Sequence, residues 1–97
     1  MKELEKKVIQ WAIDRGIHHP SNAKNQLLKS FEEMGELARG ILKDDRELII
    51  DSIGDVLVTL IILSETKGLS LEYCLDHAWN EIKDRTGKTI NGTFIKD

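Results

Sequence analysis

Apolar positions along the chain fall into four helical stretches followed by a short alternating tail. Between Lys2 and about Arg15, Leu4, Val8, Trp11 and Ala12 share one side of a helix that Gly16 ends. His18-His19-Pro20-Ser21-Asn22 reads as a connection, with Ser21 or Asn22 placed to cap a second helix running to about Leu42. In that helix Leu27, Phe31, Met34, Ala38 and Ile41 recur at steps of four and three, making one apolar stripe. Asp44-Asp45 starts a third helix, which Gly68 stops at its C′ position. Ser70 caps a fourth, whose stripe is Leu71, Cys74 or Leu75, Ala78 and Ile82, and which ends near Gly87. Asn91-Gly92 then lies between β-prone residues, the signal for a two-residue hairpin turn. A lone hairpin this short is marginal, so it is expected to pack on the helices or on another subunit.

The third helix breaks the usual amphipathic pattern. From Leu48 to Leu63 apolar side chains point most ways around the axis, and only Asp51, Ser52, Asp55 and Thr59 form a narrow polar strip. Such a helix is normally buried on most sides. Four short helices from one chain hardly enclose it, so a homo-oligomer is expected, a homodimer or a homotetramer built as a dimer of dimers. The fold class expected is all-α: a four-helix bundle with a C-terminal hairpin or extended tail, as a single domain over residues 1–97.

Composition narrows the function. The 97 residues fit one domain, and 40% hydrophobic with 32% charged residues is ordinary for a soluble protein. A formal charge of −3 argues against nucleic acid as a partner, where a basic footprint is expected. The longest apolar run, Val56 to Leu63, is far short of the roughly 20 residues that a membrane span needs. The residues Met1 to Lys7 lack the apolar stretch of a secretion signal, and the lone Cys74 suits a reducing cytoplasm, so the expected location is cytoplasmic. Cys74 lies on the apolar stripe of the fourth helix and is read as inert packing.

The chemistry is concentrated in carboxylates. Glu32, Glu33 and Glu36 share a face of the second helix, and Asp51 and Asp55, four apart, share the polar strip of the third. If the two helices pair antiparallel, five carboxylates surround one small volume. Like charges so placed repel and raise one another's pKa, and divalent cations relieve this. Hard oxygen ligands suit Mg²⁺, with Mn²⁺ as the alternative. A zinc site lacks paired cysteines, and His18 and His19 fall in a loop. Three glutamates opposite an apolar stripe are commonly no more than a solvated face. Asp51 and Asp55, on a helix with almost no other polar surface, weigh against that reading.

Glu32-Glu33-x-x-Glu36, a short connection, then an acidic helix with Gly54-Asp55-Val56-Leu57 resembles the MazG-type nucleotide pyrophosphohydrolases, whose signature is EExxE followed by ExxD on two helices. Trp11 and Gln26-x-x-Lys29 before the first motif, Asn80-Glu81 and Arg85 after the second, and the tail Gly87-Lys88…Asn91-Gly92…Phe94 extend the likeness to the short, single-domain phage and Firmicute members. The sequence departs from the pattern at Ser52, where the family's second motif has Glu; Asp51, one residue earlier, is the available substitute.

The resemblance implies hydrolysis of a nucleoside triphosphate to the monophosphate and pyrophosphate. It implies metal held by Glu32, Glu33, Glu36 and Asp55, with Asp51 replacing the missing Glu. Glu33 is the best-placed base for the attacking water, with Glu36 its neighbour in the catalytic pair. Lys29, Lys83 and Arg85 would bind phosphates, Asn80 metal or sugar, and Trp11 the base, with Gln26 also on the substrate side. Two other readings stay open. One is a dedicated dUTP or phosphoribosyl-ATP pyrophosphohydrolase; the other is a helical oligomerisation or regulatory module with weakened catalysis, favoured by Ser52. A di-iron carboxylate bundle lacks its Glu-x-x-His pairs here, and a DNA-binding helix-turn-helix conflicts with the acidity.

Overall fold

A tight turn at Asp44-Asp45 organises the molecule. Asp44 takes the left-handed conformation (φ 53°), and the Asp44 and Asp45 amides close the preceding helix on the carbonyls of Ile41 and Gly40. The Asp45 carboxylate accepts from the Leu48 amide (3.1 Å) and so caps the next helix. This computed structural model describes residues 1–97, and the turn joins its two longest elements, α2 (Ala23–Lys43) and α3 (Arg46–Thr66), into an antiparallel pair.

The pair closes because its seam is built from small residues. A Cβ at Gly40 would lie 3.2 Å from both Cγ1 and the amide nitrogen of Ile49, and 3.3 Å from Leu48 Cγ. Glycine therefore allows the backbones to approach just past the turn. Farther along, Ser30 from α2 and Ser52, Thr59, Ile62 and Thr66 from α3 are buried. The hydroxyls of Ser30, Thr59 and Thr66 donate to carbonyls on their own helices (2.6, 2.7 and 2.6 Å), so these polar groups enter the seam satisfied.

The first helix, α1 (Lys2–Asp14), packs on α3 through Ala12, which has no exposed surface. A single 3₁₀ turn, Pro20–Asn22, connects it to α2. Neither Ser21 nor Asn22 caps α2 through its side chain. Instead His19 Nδ1 accepts from the Ser21 amide (3.2 Å), and Asn22 Nδ2 donates to the Ile17 carbonyl (2.7 Å), which pins the connection.

The last helix, α4 (Leu71–Ile82), is capped by Ser70 Oγ, which accepts from Tyr73 N (3.0 Å). It ends at Ile82, short of Gly87. Its first turn is tied to α1: Glu5, itself buried, accepts from the Glu72 amide (3.4 Å), and Lys2 lies 4.0 Å from the Glu72 carboxylate. Because α4 begins where α3 has just ended, these bonds fix α1 antiparallel to α3. No residue of α4 is buried, and Cys74 is exposed rather than packed in a core.

The hairpin forms as expected, β1 (Gly87–Ile90) against β2 (Thr93–Lys96) with Ile90 opposite Thr93. Asn91 and Gly92 take φ 50° and 80°, as a type I′ turn requires. Every hairpin residue is exposed, so the expected packing on the helices is not formed within the chain.

The apolar stripe of α2 lies on the side away from α3: Phe31 is 66% and Ile41 59% exposed. On α3, Ile50 and Ile53 remain open to solvent, so one chain does not enclose this helix, in line with its sequence pattern. The Cα radius of gyration is 15.7 Å, against about 12.5 Å for a compact chain of this length. No helix is long and apolar enough to cross a membrane.

The closeness of α2 and α3 at Gly40 is testable. Gly40→Leu overfills that contact and lowers stability by about 2 kcal/mol in urea unfolding. An unchanged midpoint would place the backbones farther apart.

Candidate active site

The register of the α2/α3 seam places the acidic residues. Gly40 sits against Ile49; seven residues back on α2 is Glu33, and six residues on along α3 is Asp55. Across an antiparallel pair these positions meet, and the Asp55 charge acts directly on the Glu33 carboxyl. Glu33 is half-buried and Asp55 exposed.

The electrostatics follow from that meeting. Burial first, then the Asp55 charge, hold the Glu33 carboxyl above its ordinary value of 4.5; Lys29, one turn earlier on α2, opposes this, while Glu32 adds to it. The Glu33–Asp55 pair thus retains a proton more readily than two separate acids would.

The other predicted residues are dispersed around this pair. Glu32 is exposed beside Glu33, and Glu36 forms an ion pair with Arg39 three residues on. Asp51 is exposed, and neither a hydrogen bond nor an ion pair joins it to the acids of α2. Ser52, about 100° farther round α3, is 2% exposed and lies in the seam between the Ile49 and Asp55 contacts. The expected convergence of five carboxylates on one volume is therefore not formed in the protomer: no three metal-ligating side chains surround a single point.

The acids that do meet fit a magnesium ion in kind. Mg²⁺ is usually held by one or two carboxylates, with water and substrate phosphates completing its shell. Glu33 and Asp55 supply such a pair, and the repulsion between them, which raises the Glu33 carboxyl, is what a cation would relieve.

Beside the pair lies a cleft of about 460 Å³ between α1 and α3, lined by Leu4, Lys7, Val8, Trp11, Asp55 and Val58. Asp55 therefore faces both the seam and the cleft. The Arg15 guanidinium stands 4.1 Å over the Trp11 ring centroid, and its Nη1 donates to the Trp11 carbonyl (3.1 Å), which steadies the indole. Lys7 was not among the expected site residues. Its signal was present in the sequence: it lies four before Trp11 and three after Leu4, on the stripe that packs α1 onto α3.

Gln26 is half-buried on the first turns of α2, with no hydrogen bond to the acids. Asn80, Lys83 and Arg85 lie at the far end of α4 and beyond it. Asn80 donates to Asp76 (3.3 Å) and accepts from Lys83 (3.0 Å), and Arg85 is exposed. No bond joins these three to Glu33 or Asp55.

A sequence model of the MazG nucleotide pyrophosphohydrolase domain matches residues 22–89, from the start of α2 into the hairpin. It covers Glu33, Asp55 and Asn80 and leaves α1 outside. An uncharacterized 18.2 kDa protein from the rep–hol intergenic region of Haemophilus phage HP1 is 40% identical over 65 residues, which is 67% of this chain and 40% of that protein. The match thus spans less than half of that relative's length. No solved structure matches the chain. With the family match extending over most of its length, and the paired acids of α2 and α3 within it, the chain belongs to the MazG nucleotide pyrophosphohydrolase family.

Proposed function

We propose that the protein hydrolyses nucleoside triphosphates between the α and β phosphates, releasing the monophosphate and pyrophosphate. The observation carrying this reading is the Glu33–Asp55 pair, set beside a cleft that contains an aromatic ring. Glu33 and Asp55 would hold Mg²⁺ or Mn²⁺, with Glu32 beside them. The bound cation would supply neutralisation of phosphate charge and polarisation at the α phosphorus.

The chain's own residues do the rest. Glu33 accepts the proton of the attacking water, a role that its half-buried setting suits. Lys29, already acting on Glu33, offers a positive charge to the phosphate tail. Trp11, held by Arg15, presents its ring to the base. Arg39 holds Glu36 in place on the same stretch of α2, and Asp51 adds negative charge on the outer side of α3.

The working unit in this reading is a homodimer or homotetramer. Leu27, Phe31, Met34, Ala38 and Ile41 keep coiled-coil spacing on the exposed side of α2. A second copy laid antiparallel about Met34 sets Leu27 against Ile41 and the large Phe31 beside the small Ala38, a self-complementary fit. Asn80, Lys83 and Arg85 would then meet substrate from a neighbouring copy. The free thiol of Cys74 suits a reducing compartment such as the cytoplasm.

A second reading, a regulatory module with weakened catalysis, is favoured by one observation. Ser52 stands in the seam at the position of the family's second-motif Glu and brings no charge there.

Metal-dependent pyrophosphate release from a panel of nucleoside triphosphates, with EDTA as control, separates the two readings. Glu33→Gln and Asp55→Asn are each expected to lower kcat by about 100-fold or more with helicity intact, whereas Ser52→Glu forces a longer, charged side chain into a 2% exposed seam position and lowers the urea midpoint. No release by folded wild-type protein would favour the regulatory reading.

Stability should also depend on pH through Glu33. Its folded pKa lies above 4.5, so between that value and the raised one the native state binds more protons than the unfolded chain. Metal-free stability therefore falls as pH rises through this window. Glu33→Gln removes the fall, and Mg²⁺ at neutral pH raises the wild-type Tm more than that of the variant. Equal pH profiles for the two proteins would remove Glu33 from the site.

The oligomer is checked by light scattering. Phe31→Glu gives a monomer of wild-type helicity, and a monomeric wild-type chain would overturn the assembly.

A further inference from the structure

The cleft between α1 and α3 carries more information than the position of Trp11. Its walls are apolar except for two groups, Lys7 and Asp55. Among the lysines of α1, Lys2 pairs with Glu72 and Lys6 with Glu3, whereas Lys7 has no ion-pair partner. Its ammonium is therefore free to meet whatever enters. Lys7 lies one turn from Trp11 on the same helix, and α1 is the element that the family match does not reach.

We infer that Lys7 determines which nucleobase the protein accepts, favouring guanine, uracil and thymine over adenine and cytosine. This rests on the pyrophosphohydrolase reading of the same site. In that reading Asp55 marks the phosphate end of the cleft, beside Glu33, on which the Lys29 charge acts. The remaining space, bounded by Leu4, Val8, Val58 and Trp11, suits a flat apolar ring. An ammonium beside that ring has three donors and no acceptor. It can bond the O6 of guanine or the O4 of uracil and thymine. At the same position adenine and cytosine present an amino group, donor against donor, and leave the ammonium only a neighbouring ring nitrogen as acceptor.

The test compares kcat/KM for GTP, UTP, ATP and CTP in the wild type, Lys7→Met and Lys7→Arg. The wild type is expected to favour GTP and UTP by about tenfold, the size of one charge-assisted hydrogen bond. Lys7→Met brings the four substrates within about twofold of one another. It does so by raising KM for GTP and UTP while kcat for ATP holds, and Lys7→Arg keeps the preference. An equal loss on all four substrates would assign Lys7 to the phosphates, and an unchanged ratio would make it a bystander; either overturns the inference.

A second measurement needs no turnover. Binding of GMP, UMP, AMP and CMP is followed by Trp11 fluorescence in a Trp79→Phe background. Tighter GMP and UMP binding, lost in Lys7→Met, supports the assignment even if no triphosphate is hydrolysed. Equal binding of all four overturns it, whatever the fate of the hydrolase reading.

Discussion

The structure depends on one contact that is unfavourable in isolation, the carboxyl of Glu33 against that of Asp55. Two acids in a half-buried helix seam repel unless a proton or a cation lies between them. The fold accepts this because the rest of the seam asks for little. Gly40 lets the backbones close, and Ser30, Thr59 and Thr66 enter with their hydroxyls already bonded. A seam of large apolar residues would hold the helices farther apart, and the two short carboxylates would not meet. Close packing and acid pairing are thus the same choice of residues.

Most of the helix boundaries were legible in the sequence because their signals are local. Asp45 and Ser70 cap the helices they precede, Gly68 ends α3, and Asn91-Gly92 turns the hairpin. The orientation of α2 is not legible from its apolar positions alone, although the expected meeting of its acidic strip with that of α3 points to it. That helix carries two stripes of the same spacing. Leu27, Phe31, Met34, Ala38 and Ile41 make one; Gln26, Ser30, Glu33, Leu37 and Gly40 make the other. Hydrophobicity selects the first as the face turned to the core, yet the second faces α3. Small polar residues whose hydroxyls bond their own helix are invisible to a count of apolar positions.

The acids show the same limit. Spacing on a helix identified Glu33 and Asp55 as candidates, but spacing alone did not distinguish Asp51 from Ser52. One residue is about 100° of rotation, and here it separates an exposed aspartate from a serine 2% exposed. Only the register set at Gly40 decides which of the two enters the seam. Lys7 escaped for a different reason: a lysine on an apolar stripe reads as a solvated interruption until a cleft is seen beside it.

The division of labour between helices then has a physical sense. The carboxylates sit on α2 and α3, whose register is fixed by a tight turn and a glycine contact, so their geometry tolerates little change. Trp11 and Lys7 sit on α1, held to the rest by packing on α3, by the Asn22 bond to Ile17, and by Glu5 and Lys2 at Glu72. Substitution along the cleft side of α1 changes the lining of the cleft without moving an acid. The reverse does not hold, because any shift of α3 moves Asp55 in the seam and in the cleft together. In the proposed reading the chemistry is constrained by the helix pair, while the choice of base falls to the helix that lies across it.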